Sequence, residues 1–291
     1  MSAKPEPKHY RQVIEDVRRA STRRGREALG AFAVEGRRLV ERGIRAGWVP
    51  RDLLVASGER ARSPELEGLL ERVAALGTRC HEAPDAELRE LAEGRQSGLI
   101  SALFPLPAAL APSELWAAPR SSGRSSGDGG VYLVLVDVVE PGNVGALIRT
   151  ALASGARGAI CVGNTDPFHS KAVRTSLGSL FKLPLARVAS GDALIGALRE
   201  LGVHSLATVA RGGVPLDRAL WPSGDLALLV GNEGAGLPER VRDAADQRVT
   251  IELSTEADSF CVNAAAAVCL YEVQRRRRFE LDFDGGPGET G

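Results

Sequence analysis

The stretch VYLVLVDVVEPGNVGALIRTALASG, residues 131–155, decides the reading of this chain. Its first part, VYLVLVDVV (131–139), is almost continuously apolar. A short run of that kind reads as a strand buried on both faces. Pro141 and Gly142 interrupt it, and NVGALIRTALASG (143–155) then places apolar residues at helical spacing before stopping on Gly. Strand, turn and helix in that order are the repeating unit of a parallel α/β sheet. In such sheets ligands bind beyond the carboxyl ends of the strands, so Asn143 and the Arg149 that follows it stand where chemistry is expected.

The unit recurs downstream. GAICVG (158–163), HSLATVA (204–210), LALLVGN (226–232) and VTIEL (249–253) are candidate strands. DALIGALRELG (192–202) and NAAAAVCLYEVQRRRR (263–278) are candidate helices. Residues 131–278 are therefore expected to form an α/β domain with a parallel sheet. Upstream, FAVEGRRLVERGIRAG (32–47) reads as a short strand entering a helix, and DLLVAS (52–57) as a strand. ELEGLLERVAALG (65–77) and AELRELAEG (86–94) read as helices, and GLISALFP (98–105) as a strand. This predicts a smaller α/β domain over 31–105. Between the two, residues 106–130 are rich in Pro, Ser and Gly and read as a flexible linker. Residues 1–30 carry eight Lys/Arg against four Asp/Glu and read as a basic arm, and 279–291 as a tail.

The 291 residues hold 37 basic and 37 acidic side chains, so no net field of the whole chain draws it to nucleic acid. Any such contact has to be local, and the arm and the block Arg275–Arg278 are the candidates; ordinary solvated surface is the alternative for both. The four cysteines show no CxxC spacing, which fits core thiols in a reducing compartment better than disulfides or zinc. His9, His81, His169 and His204 are scattered, and no metal site is expected. Neither a signal peptide nor an apolar stretch of membrane-spanning length is visible, and the expected location is the cytoplasm.

Three turns carry the chemistry: EPGNVGALIRT (140–150), GNEGAGLPERV (231–241) and ELSTEADSFCVNAAAAVCLYE (252–272). The second lacks both GK[ST] and G-x-G-x-x-G, which excludes a P-loop and the dinucleotide fingerprint. Singly, each admits an ordinary use: Asn143 as a helix N-cap, Glu233 as a cap of the next helix, Gly as the residue of a tight turn. Arg149 sits among Val144, Leu147, Ile148 and Ala151 on an apolar helix. Taken together, Asn143-x-Gly145-x-x-x-Arg149, Gly231-x-Glu233-Gly-x-Gly236-Leu and a Ser259 loop entering an Ala-rich helix resemble the three motifs of the SpoU (TrmH-like) RNA 2′-O-ribose methyltransferases. AVRTSLGSLFKLPL (172–185) is similar to the segment between that family's first two motifs. FAVEGRRLVERG resembles the start of the ribosomal-protein-like substrate-binding domain of its rRNA-modifying members.

The resemblance implies an α/β fold with a deep trefoil knot at the C-terminal end of the sheet, a homodimer, and S-adenosylmethionine bound within the knot. Thr208, Gly231, Ile251 and Phe260 would line the cofactor pocket. Asn143, Arg149, Glu233, Ser259 and Asn263 would form the catalytic set, with Glu233 holding Arg149 or a backbone amide and Ser259 touching RNA or the first motif. The family's Arg is given the base role. A guanidinium, with a pKa above about 12, is better suited to orienting phosphate and stabilising charge on the oxygen. The sequence departs from the pattern at Cys261, where the family has Asn; Asn263 follows two positions later, as a substitute for that amide or as a helix cap. The expected activity is 2′-O-methylation of a ribose in structured RNA, with 23S rRNA as the first target. A tRNA target, an antibiotic-resistance rRNA methyltransferase, and an RNA-binding assembly factor of weak activity are the alternatives.

Overall fold

The computed structural model describes residues 9–60, 64–91, 99–117, 129–222, 224–254, 256 and 258–284. The chain forms two units, Met1–Ala108 with Phe168–Lys182, and Ala109–Pro167 with Leu183–Gly291. In the first, α1 (Tyr10–Arg19), α2 (Arg23–Leu29), β1 (Ala31–Glu35), α3 (Arg37–Arg45), β2 (Asp52–Ala56), α4 (Ser57–Arg60), α5 (Pro64–Ala75), β3 (Arg79–Ala83), α6 (Asp85–Leu91) and β4 (Ile100–Pro105) follow in order. The sheet order is β1-β4-β2-β3, with β4 antiparallel to both neighbours and β3 parallel to β2.

The stretch expected as a basic arm is part of this unit. Val13, Ile14 and Val17 form one stripe of α1 and are buried with Leu54 and Leu103 of the sheet. Arg26 is buried as well, donating to the carbonyls of Ala20 and Ser21. Residues 1–8 lie outside the described residues. β3, which the sequence reading missed, is an edge strand with alternating exposure, and its Arg79 and His81 reach the fully buried Asp52 of β2. Arg79 grips that carboxylate with both ends of its fork at 2.8 and 3.0 Å, Arg51 Nε donates at 3.0 Å, and His81 Nε2 lies 3.2 Å away. Burial alone would raise the Asp52 pKa. The hydrogen bonds from His81, Arg79 and Arg51 outweigh it and hold the carboxyl well below its ordinary range.

The second unit contains α7 (Pro112–Ala117), β5 (Val131–Val136), α8 (Pro141–Ala153) and β6 (Gly158–Val162). After the excursion Phe168–Lys182, which carries α9 (Ser170–Thr175) and belongs to the first unit, come β7 (Leu185–Val188), α10 (Gly191–Glu200), β8 (His204–Thr208), β9 (Val214–Pro215), β10 (Leu226–Val230), α11 (Glu239–Ala244), β11 (Gln247–Thr250) and α12 (Val262–Asp284). All neighbouring strands are parallel, in the order β7-β6-β5-β10-β8-β11-β9. Every residue of β5, β6 and β10 is buried, as their unbroken apolar runs require.

Part of the expected linker is ordered into α7, where Leu115 is buried and Trp116 stacks on Tyr132 with ring centroids 4.2 Å apart. Residues 118–128 of it, and 285–291 of the expected tail, lie outside the described residues, while α12 runs on through Asp284. Cys161 and Cys269 are core thiols as expected, whereas Cys80 and Cys261 are exposed. Among the described residues no helix is long and apolar enough to cross a membrane, and no group of side chains has the make-up of a metal site.

Candidate active site

The order of the sheet reverses between β5 and β10. From β5 the chain steps outward to β6 and β7 on one side, while β10, β8 and β11 lie on the other. A crevice opens beyond the carboxyl ends of strands at such a point. The turns that follow β5 and β10 are the ones carrying Asn143 and Glu233.

The first turn is built so that Asn143 is spare. Pro141 stands at the first position of α8, and the Glu140 side chain caps the helix by accepting from Gly142 N at 3.2 Å. Asn143, inside the first turn, is thus released from the capping role. Its Nδ2 donates to Glu233 Oε1 at 2.8 Å, and its Oδ1 accepts from Asn263 Nδ2 at 2.8 Å. A carboxylate only accepts, so Glu233 fixes which end of the Asn143 amide faces it, and Asn143 in turn fixes Asn263. Glu233 therefore holds Asn143, not Arg149 or a backbone amide as the sequence reading had it. The Oδ1 of Asn263 is buried and has no hydrogen-bond partner among the described residues.

Asn263 is not the helix cap. α12 begins at Val262, and the Cys261 carbonyl accepts the first helical bond from Ala265 N at 3.0 Å. Cys261 occupies the capping position with an exposed thiol, and Asn263 projects from the first turn into the network.

The second turn depends on two residues. Asn232, which the sequence reading passed over, accepts on Oδ1 from Gly234 N at 2.9 Å and Ala235 N at 3.0 Å, and its Nδ2 donates to Asp137 O at 3.1 Å. An Asn ahead of Gly is the available signal for this side-chain-closed turn. Gly231 is the other: a Cβ there would lie 2.3 Å from the backbone of Gly236 and Leu237, so only Gly lets the loop fold back on itself.

A cavity of about 670 Å³ lies against these turns, within the range that encloses a cofactor-sized ligand. Thr208, Gly231, Ile251 and Phe260 all line it, as do Asn143, Glu233 and Ser259. The Thr208 hydroxyl donates to Leu229 O at 2.9 Å, while Ser259 makes no hydrogen bond to the described residues. Cys269 also lines the cavity, and burial pushes its thiol up to about 12, which keeps it protonated and inert. Arg149 is exposed on α8, outside the cavity lining and without a hydrogen bond or ion pair among the described residues.

The basic block of α12 is largely committed within the unit. Arg275 and Arg276 both pair with Glu272, and their guanidinium groups hold its carboxyl down to about 2. Arg277 donates to the carbonyls of Gly129, Pro222 and Gly224. These three do not stand as free phosphate contacts; the Arg278 side chain lies outside the described residues.

A parallel sheet with a tight glycine turn, a cofactor-sized cavity at its switch point and an amide–carboxylate network beside it defines a group-transfer enzyme. The chain belongs to the SpoU rRNA methylase family, whose model matches residues 130–271, and residues 11–102 match an MRM3-like substrate-binding domain. It is an RNA 2′-O-methyltransferase that uses S-adenosylmethionine. It is 34% identical to a 23S rRNA (uridine(2479)-2′-O)-methyltransferase of Streptomyces viridochromogenes, over 88% of this chain and 86% of that one. It is 28% identical to the 23S rRNA (guanosine(2553)-2′-O)-methyltransferase RlmP of Bacillus subtilis, over 90% of this chain and 96% of that one. Among solved structures, an AdoMet-bound rRNA methyltransferase from Sinorhizobium meliloti superposes with a TM-score of 0.78 at 29% identity, covering 94% of this chain and 98% of that one.

Proposed function

We propose that this chain methylates one ribose 2′-hydroxyl of 23S rRNA. The observation that carries the reading is the chain of hydrogen bonds Asn263–Asn143–Glu233 beside the cavity, one member from each of the three motifs. It speaks against the weak assembly factor that Cys261 raised, because Asn263 supplies the amide. The relatives whose names specify 23S rRNA favour that target over tRNA.

When bound, S-adenosylmethionine would supply an electrophilic methyl group whose sulfonium sulfur departs as a neutral thioether without protonation. The fit rests on the Gly231 cradle, which a Cβ would close, and on apolar walls from Ile251 and Phe260. Thr208, Gly231, Ile251 and Phe260, which line the cavity, would hold the adenosine. Asn143, locked by its two partners, orients the ribose hydroxyl, and the unpartnered Asn263 Oδ1 is an acceptor for a hydroxyl donor. Ser259, with its hydroxyl uncommitted, contacts the RNA. Arg149 keeps its proton and stabilises charge developing on the oxygen, while the hydroxyl proton passes to solvent water. Positioning of this kind lowers a barrier by up to about 7–11 kcal/mol.

Arg149 works in a homodimer on this reading. Val139, Val268 and Tyr271, near the start of α8 and on α12, are 55, 39 and 68% exposed, an apolar surface that pairing of two copies would cover. We also propose that the chain forms a trefoil knot at this end of the sheet: β11 lies two strands beyond β10, yet α12 returns to pack on α8 and β10. The enzyme works in the cytoplasm, where its RNA is.

The test is methyl incorporation from labelled cofactor into unmodified 23S rRNA and into tRNA, followed by mapping of 2′-O-methyl positions. One modified nucleotide in 23S rRNA is the expected result. Incorporation into tRNA alone would move the target, and tight RNA binding without any incorporation would refute the reading.

A further inference from the structure

We propose that Leu177 is an RNA-contact residue, an apolar knob that packs against a base of the substrate from a segment with basic and no acidic side chains; the inference rests on the rRNA reading above. Within Phe168–Lys182 the apolar side chains are otherwise buried: Phe168, Val173, Leu180 and Phe181 are at most 7% exposed. Phe168 and Phe181 pack on Phe32, and Trp48 Nε1 donates to Phe181 O at 2.9 Å, so both ends of the segment are anchored in the first unit. Leu177, at its apex, is 45% exposed.

The backbone of Leu177 is also unfavourable. Its φ is +48°, a conformation in which a Cβ is crowded and which Gly adopts freely. The surroundings impose it. Leu177 N donates to Arg174 O at 3.1 Å, and the Arg42 guanidinium donates to Leu177 O. The stem of Arg42 lies so close to the following Gly178 that a Cβ there would come within 2.9 Å of it. Gly at position 177 would relieve the strain and remove an apolar group from water. A strained residue kept at an exposed apolar tip points to a role outside the fold.

The neighbours name the partner. Residues 168–182 include Lys171, Arg174 and Lys182 and no Asp or Glu. A segment whose Lys and Arg side chains have no acidic counterpart within it, carrying one exposed apolar side chain, matches RNA, whose phosphates are met by cations and whose unstacked bases are met by side-chain packing.

The experiment compares wild type with Leu177→Gly and Arg174→Ala, using transcribed, unmodified 23S rRNA as the probe. Leu177→Gly is expected to unfold at the same or a higher temperature and to bind S-adenosylmethionine unchanged. Its RNA affinity should fall roughly tenfold, with the salt dependence of binding preserved. Arg174→Ala should instead reduce the slope of log affinity against log salt by about 1. Unchanged RNA affinity in Leu177→Gly overturns the proposal. So does a lowered unfolding temperature, which makes Leu177 structural, or a loss of self-association, which assigns it to a second copy. Wild-type enzyme that neither binds nor methylates this RNA would remove the underlying target reading instead.

Discussion

Asn263 donates its side-chain amide to the Asn143 carbonyl oxygen at 2.8 Å, joining residues 120 apart in sequence. The contact brings the third motif to the first, and Glu233 of the second completes it. Replacing Asn263 by Ala removes one of the two hydrogen bonds that hold the Asn143 amide and leaves it tethered by Glu233 alone. The expected outcome is a fall in kcat of about 10–100-fold with cofactor affinity nearly intact. Cys261→Ser, by contrast, should leave kcat within about twofold, because the thiol is exposed and takes no part in the network. Single-turnover methylation of 23S rRNA separates the two.

Gly231→Ala places a methyl group 2.3 Å from the backbone of Gly236. The loop has to open, and it forms a wall of the cavity. Cofactor affinity should fall about tenfold or more, read by calorimetric titration.

Arg149→Ala should act on the chemistry and not on the cofactor. The side chain lies outside the cavity lining, so the dissociation constant for S-adenosylmethionine should stay at the wild-type value. The methyl-transfer rate should fall by about 10²–10³-fold if the guanidinium stabilises the developing oxyanion. Measuring both constants on one preparation distinguishes a charge-stabilising Arg149 from one that merely supports the fold.

Asp52 governs acid stability of the first unit. Its folded pKa lies below the unfolded value of about 3.9, so its contribution is present above that value and is lost as pH falls toward the folded one. Asp52→Asn should cost about 2–3 kcal/mol at neutral pH, since one of the two oxygens that accept from Arg79, Arg51 and His81 becomes a donor and the negative charge is lost. The variant should also lose part of the decline in stability below about pH 4, which thermal unfolding at several pH values records.

Much of the catalytic unit was legible because its strands are buried on both faces. VYLVLV, GAICV and LALLV cannot be read as anything amphipathic, and each forms a parallel strand. The short β7 and β9 were not legible, since a strand of a few partly exposed residues has no period to read. The basic arm was misread because charge dominated the composition of residues 1–30, while the stripe Val13, Ile14 and Val17 carried the structure. At the site, the resemblance to the SpoU motifs singled out Asn143, Glu233 and Asn263, but not their bonding. Glu140 takes the capping role at one helix and Cys261 that at the other, and only a folded backbone shows which side chain is thereby left over.

Arg277, near the far end of α12, clasps the carbonyls of Gly129 and Gly224, immediately ahead of β5 and β10. The last helix is thereby pinned to the segments that enter the two central strands of the sheet. A circular permutant that closes the gap between α12 and β5 with a short peptide and reopens the chain elsewhere has its new junction already held in register. A C-terminal truncation that removes Arg277 unfastens the feet of both central strands at once.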